Sequence, residues 1–234
     1  ASIPQGIGQN LEELYVFDDA IIYRNFIEGA GPRAIGVGYP ETANLAFDAN
    51  QMNIALLWHG SFIDAGKHWN GRGQGFQPPL GDNVLSFQQA PALALLESND
   101  SKWPTGDIKK QGYRFLGYQL GDNRKPTFLY QLNKMRVFDF PNPEEDGGEF
   151  PALTRTITVS SDAEEHNLFI RAVVAANSLV VNNDGTITVD GQWTLTVTGN
   201  VGKPVIRGKE LIVPVDLSNK DKRHVALIKI HYQW

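Results

Sequence analysis

The chain of 234 residues contains no cysteine. That absence excludes disulfides, thiolate metal sites, a cysteine nucleophile and covalently attached c-type haem within the chain. No resident cofactor is expected. Methionine is almost missing too. Met52 and Met135 are the only two, and they read as packing residues rather than axial haem ligands. No apolar run approaches the roughly 18 to 20 residues that a bilayer-spanning helix needs, so no membrane span is expected. The longest apolar runs, such as residues 92–96, fit a buried strand. A basic stripe is also lacking in a chain of net charge −5, which argues against nucleic acid as a partner. The opening Ala-Ser-Ile-Pro has no methionine. It suits a mature protein after removal of a signal peptide, and it suits an excised fragment equally.

Helix signals are as scarce as cysteine. Residues 10–14 offer one turn with Asn10 as its cap, and residues 162–165 offer another. What fills the chain instead is alternation with a period of two. It predicts strands over residues 20–26, 33–38, 44–47 and 53–58. It predicts a meander over 113–120, 127–132 and 135–140, with Gly121 to Pro126 as the first hairpin connection. Further strands follow over 154–159, 168–174, 178–181, 186–189, 193–197, 210–217 and 225–232. Thr, Val and Ile dominate these segments and suit a pleated, half-buried surface. The expected fold class is therefore all-β: one large two-sheet antiparallel β-sandwich over residues 1–234 with very little helix. If the chain divides into subdomains, the seam falls at 141–150, a stretch rich in Pro, Gly and acid.

One segment departs from this pattern. Residues 58–75, WHGSFIDAGKHWNGRGQG, pack two His, one Asp, one Lys, one Arg, two Trp and five Gly into a loop after a strand. Loops on a rigid β-scaffold are where binding and catalysis concentrate. His59, Asp64 and His68 form one candidate set, for zinc, iron or haem b, although their spacing matches no tight metal signature. Asp64, His68 and Arg72 form a second, as acid/base and charge-stabilising groups of a carbohydrate-active lyase or hydrolase. Trp69, Asn70, Arg72, Gln74, Phe76 and Asp82 form a third, a sugar platform of flat apolar faces ringed by hydrogen-bonding groups. The bland readings compete with each of these. Trp58 at a strand end reads as core, and His59 after a buried strand reads as a satisfied hydrogen-bonding residue. Gly71 to Gly75 alternates glycine without a βα unit, so a phosphate loop is not indicated.

A family resemblance runs through the same residues. Pro32-Arg33-Ala34-Ile35-Gly36-Val37-Gly38-Tyr39-Pro40 is followed in order by Phe47-Asp48-Ala49 and by Leu57-Trp58-His59-Gly60-Ser61-Phe62-Ile63-Asp64. Trp69-Asn70-Gly71-Arg72-Gly73, Gly112-Tyr113-Arg114-Phe115-Leu116-Gly117-Tyr118 and Pro126-Thr127-Phe128 continue it. Over roughly residues 20–175 the chain resembles a β-rich module of large secreted bacterial proteins of planctomycete type. Those proteins also carry c-type cytochrome and sorbosone-dehydrogenase-like domains. The resemblance implies a periplasmic or extracellular location and a c-type cytochrome subunit as one candidate partner. It assigns no catalytic residues. The leading expectation is a noncatalytic accessory module that binds carbohydrate or a protein partner. A carbohydrate-active enzyme is the alternative, and a metal or haem-b protein the second alternative.

Overall fold

A computed structural model describes residues 12–69, 75–145, 148–163, 165–217, 219–220 and 223–234. In chain order the strands begin with β1 (Ile21–Tyr23), β2 (Ala34–Gly38), β3 (Ala43–Asp48) and β4 (Asn53–His59). After the short helix α1 (Gly66–Trp69) come β5 (Asp82–Ser86), β6 (Leu93–Leu95), β7 (Tyr113–Leu120), β8 (Pro126–Leu132), β9 (Met135–Glu144) and β10 (Ala152–Ser161). The rest are β11 (Leu168–Val174), β12 (Leu179–Val181), β13 (Ile187–Val189), β14 (Trp193–Gly199), β15 (Val205–Arg207), β16 (Glu210–Pro214), β17 (Asn219–Lys220) and β18 (Arg223–Gln233).

These strands build three antiparallel sheets in two layers. The large sheet runs β12-β13-β14-β18-β10-β9-β8-β7, with β17 added against β18. Its inward face alternates cleanly, as in Leu153, Ile157 and Val159 on β10. Two smaller sheets, β1-β2-β3-β4-β5 and β15-β16-β11-β6, cover that face. One hydrophobic cluster, drawn from all three sheets, spans Ala20 to Tyr232. The all-β sandwich expected from the alternation is the fold.

The central strands β2, β3 and β4 of the five-stranded sheet are buried on both faces. Ile35, Val37, Leu45, Phe47 and Leu57 point into the main core. On the other face Ala34, Ala46 and Ala55 lie with Trp58, Phe62, Tyr23 and Ile27 in a second cluster. The residues after β4 fold back over their own sheet. Small side chains make that possible: a Cβ at Gly38 would stand 2.7 Å from Phe62, and one at Gly36 would stand 2.8 Å from Ile27. Such close approach leaves room only for glycine.

The acidic, Pro-rich stretch at 141–150 begins as strand. Residues 141–144 continue β9 and pair with β10, Pro141 opposite Arg155 and Pro143 opposite Leu153. The ladder with β8 ends at Asp139, so this part of β9 has a neighbour on one side only. Proline is tolerated on such a free edge, where its missing N–H breaks no ladder. The Tyr39 hydroxyl covers that edge by donating to the Pro141 carbonyl at 3.0 Å.

A buried polar network ties the layers together. Arg155 and Asp139 both point inward, and they pair at 2.6 to 3.1 Å through Nε and Nη2. Tyr130 donates to Asp139 Oδ2 at 3.1 Å. Across the core, Arg155 Nη1 donates to Asn53 Oδ1 on β4 at 2.8 Å. The carboxylate keeps the guanidinium charged despite its burial, and its pKa is raised further.

Candidate functional site

The loop after β4 is organised by Asp64. Its Oδ1 accepts the backbone N–H groups of Glu12 and Gly66, both at 2.8 Å. The first bond fastens the incoming segment, which also bridges Glu13 to Asp64 in the backbone. The second starts the turn that becomes α1. Asp64 is a brace for two pieces of backbone.

α1 delivers His68 and Trp69 to the surface. The His68 ring stacks on Tyr23 at 5.9 Å between centroids. Its Nδ1 is hydrogen-bonded to the Tyr23 hydroxyl. Burial, and then the Asp64 charge, push the Tyr23 phenol up to about 12, so it keeps its proton and donates. His68 Nε2 donates to the Gly75 carbonyl at 2.8 Å. Both ring nitrogens are thus hydrogen-bonded. Gly75 has φ +77°, a left-handed conformation in which glycine is unstrained.

Phe26 and Phe76 complete the corner. Gln77 N–H donates to the Phe26 carbonyl and Glu28 N–H to the Gln77 carbonyl, both at 2.9 Å, and this pairing sets the two phenyl rings side by side. Their centroids are 5.5 Å apart, and Phe26 meets the His68 ring edge-on at 6.3 Å. Phe26 is 39% exposed, Phe76 48% and Trp69 61%. The corner is therefore a solvent-facing aromatic surface held by the Tyr23–His68 pair, with Asp64 bracing the same loop through its backbone.

His59 goes elsewhere. It is 2% exposed and lies between the rings of Phe150 at 4.9 Å and Trp234 at 4.1 Å, nearly parallel to both. Its Nε2 donates to the Pro151 carbonyl at 3.0 Å, while Nδ1 is buried without a partner. Burial holds the imidazole below its ordinary range, and the bond to Pro151 offsets part of that. Trp234 Nε1 donates to the Asn83 carbonyl at 2.8 Å, so this stack clamps β18 and the β9–β10 connection to the edge of the five-stranded sheet.

The structure accordingly separates the residues that the sequence groups. The proposed metal set of His59, Asp64 and His68 is not assembled, because each has its own partners on opposite sides of the sheet. Among the described residues no group of three His, Asp or Glu could hold a metal ion. The proposed acid/base set of Asp64, His68 and Arg72 loses its simplest form, since the first two serve as braces. Arg72 lies outside the described residues, as do Asn70 and Gln74. Of the sugar-platform set, Phe76 stands at the corner, and Trp69 is exposed on α1 next to His68. Asp82 stands opposite His59 in the β4–β5 ladder, beside the clamp. Sequence reasoning missed Tyr23 and Phe26, which are distant in the chain from the loop they support.

Residues 45–139 match a family described as a domain of unknown function, DUF6797. The match covers less than half of the chain, from within β3 to Asp139. It includes Asp64, His68, Trp69 and Phe76, but not Tyr23, Phe26, Arg155 or Trp234. No curated protein matches the chain, and no solved structure matches it.

Proposed function

We propose that this chain is a noncatalytic binding module whose aromatic corner takes carbohydrate. The observation that carries the reading is the exposure of Phe26 and Phe76, packed beside a fully hydrogen-bonded His68, together with the exposure of Trp69, the next residue on α1. Large aromatic rings are normally buried, and rings held at the surface by a rigid support suit the apolar faces of sugars. The resemblance to secreted modules supports an extracytoplasmic setting, where a cytochrome-containing subunit is the candidate protein partner. A glycan array tests the reading. The full chain should bind at least one glycan, and Trp69→Ala and Phe76→Ala should each weaken binding with unchanged thermal unfolding. Wild-type protein that binds no glycan contradicts it.

One observation favours a catalytic reading as second. The Tyr23–His68 hydrogen bond joins two groups that serve as acid and base in a lyase. Tyr23 is only 4% exposed, which places its hydroxyl behind the surface rather than on it. Turnover of a uronate polysaccharide, abolished by His68→Ala, would establish the enzyme instead.

A further inference from the structure

We infer that a groove beside the aromatic corner binds the acidic groups of a carboxylated or sulfated polysaccharide; this rests on the corner being a sugar surface. Two cavities, of about 220 and 580 Å³, share Arg33 and Phe115 as a common wall. Their volumes bracket the lower range of small-ligand sites. Arg24 lines the first cavity, and Lys109 and Arg114 line the second. The linings hold four cations and no carboxylate, on a chain of net charge −5. All four cationic residues are exposed, and none makes an ion pair among the described residues. Nearby acids are already engaged. Asp107 pairs with Lys110, and the buried Asp48 accepts the backbone N–H of Asn50 at 2.7 Å and offsets part of the Arg33 charge, leaving Arg24, Lys109 and Arg114 uncompensated.

A cleft lined by one sign of charge focuses its field and gathers counter-ions. Arginine forks match carboxylate and sulfate oxygens in pairs. Phe115 offers an apolar wall between the cavities. Phe26 joins the two features, because it lines the first cavity and also packs on Phe76 at 5.5 Å. A sugar chain laid over the corner therefore carries its acidic substituents into the groove. Nucleic acid fits less well, since its dense charge meets a chain of net charge −5.

The test measures binding of the full chain to polygalacturonate, chondroitin sulfate, neutral xylan and single-stranded DNA, each at low and high salt. The two acidic glycans separate carboxylate from sulfate as the preferred group. At least one acidic glycan should bind tenfold or more tightly than xylan at low salt, with the advantage lost at high salt. Arg24→Gln combined with Arg114→Gln should remove that advantage and leave xylan binding and thermal unfolding unchanged. Equal affinity for acidic and neutral glycans, or an unaffected double variant, overturns the groove and leaves the corner standing. Acidic binding indifferent to Trp69→Ala and Phe76→Ala overturns the corner instead. DNA binding tighter than any glycan overturns both.

Discussion

His59 and His68 leave the same loop-bearing segment and meet opposite surroundings. His59 is closed between Phe150 and Trp234, with one nitrogen bonded and the other buried without a partner. His68 lies at a surface, with both nitrogens bonded and exposed rings around it. The first region joins the layers of the sandwich. The second is rigid and presents aromatic area to solvent. A histidine in a conspicuous loop is thus informative only through what its two nitrogens touch.

The comparison breaks most visibly on the closed side. Asp139→Ala strands the buried Arg155 guanidinium, and it should cost about 3 to 5 kcal/mol in chemical denaturation. Replacing Asp139 and Arg155 together with leucine should recover much of that loss, since the cost lies in the unpaired charge. On the open side, His68→Ala removes two hydrogen bonds to Tyr23 and Gly75. It should cost roughly 1 to 3 kcal/mol, at about 1 kcal/mol for each bond, and loosen the Gly75 turn. A loss as large as that of Asp139→Ala would mean that the corner belongs to the core.

The pH profile sharpens the contrast further. The folded His59 imidazole titrates below its ordinary value of 6.5, so the unfolded chain binds the extra proton first. The stability His59 contributes is complete above pH 6.5 and falls as the pH drops toward and through the folded value. His59→Phe keeps a ring between Phe150 and Trp234 and removes the titrating group. It should flatten the profile below pH 6.5, as followed by urea denaturation at stepped pH. The smallest stability effect belongs to Trp69→Ala. At 61% exposure it should shift stability by less than about 0.5 kcal/mol while weakening ligand binding.

Much of the sandwich was legible from alternation alone. The strands at 113–120 and 168–174 fall where the pattern places them. β5 escaped notice since Asp82 and Asn83 look like a turn and the strand is an exposed edge. The strand at 141–144 was not legible, because proline on a free strand edge has the same composition as a linker. The Arg155–Asp139 pair did leave a signal. Arg155 shares inward parity with Leu153 and Ile157, and Asp139 shares it with Val137. Two opposite charges at core positions on adjacent strands predict a buried pair. The site was less legible. Tyr23, Phe26, Phe150 and Trp234 decide the fate of the two histidines, and all lie far from them in sequence. Only contacts across the fold distinguish a brace from a ligand group.

Quenching of Trp69 fluorescence tests the aromatic corner most directly. Trp58, Trp103 and Trp193 are buried and Trp234 is half-buried against His59, so an aqueous quencher such as acrylamide acts most strongly on Trp69, and the difference from Trp69→Ala isolates its share. With a glycan bound at saturation, quenching should fall, and in Trp69→Ala that ligand-dependent change should vanish. A glycan that binds the wild type yet leaves Trp69 as quenchable as before would contradict the account.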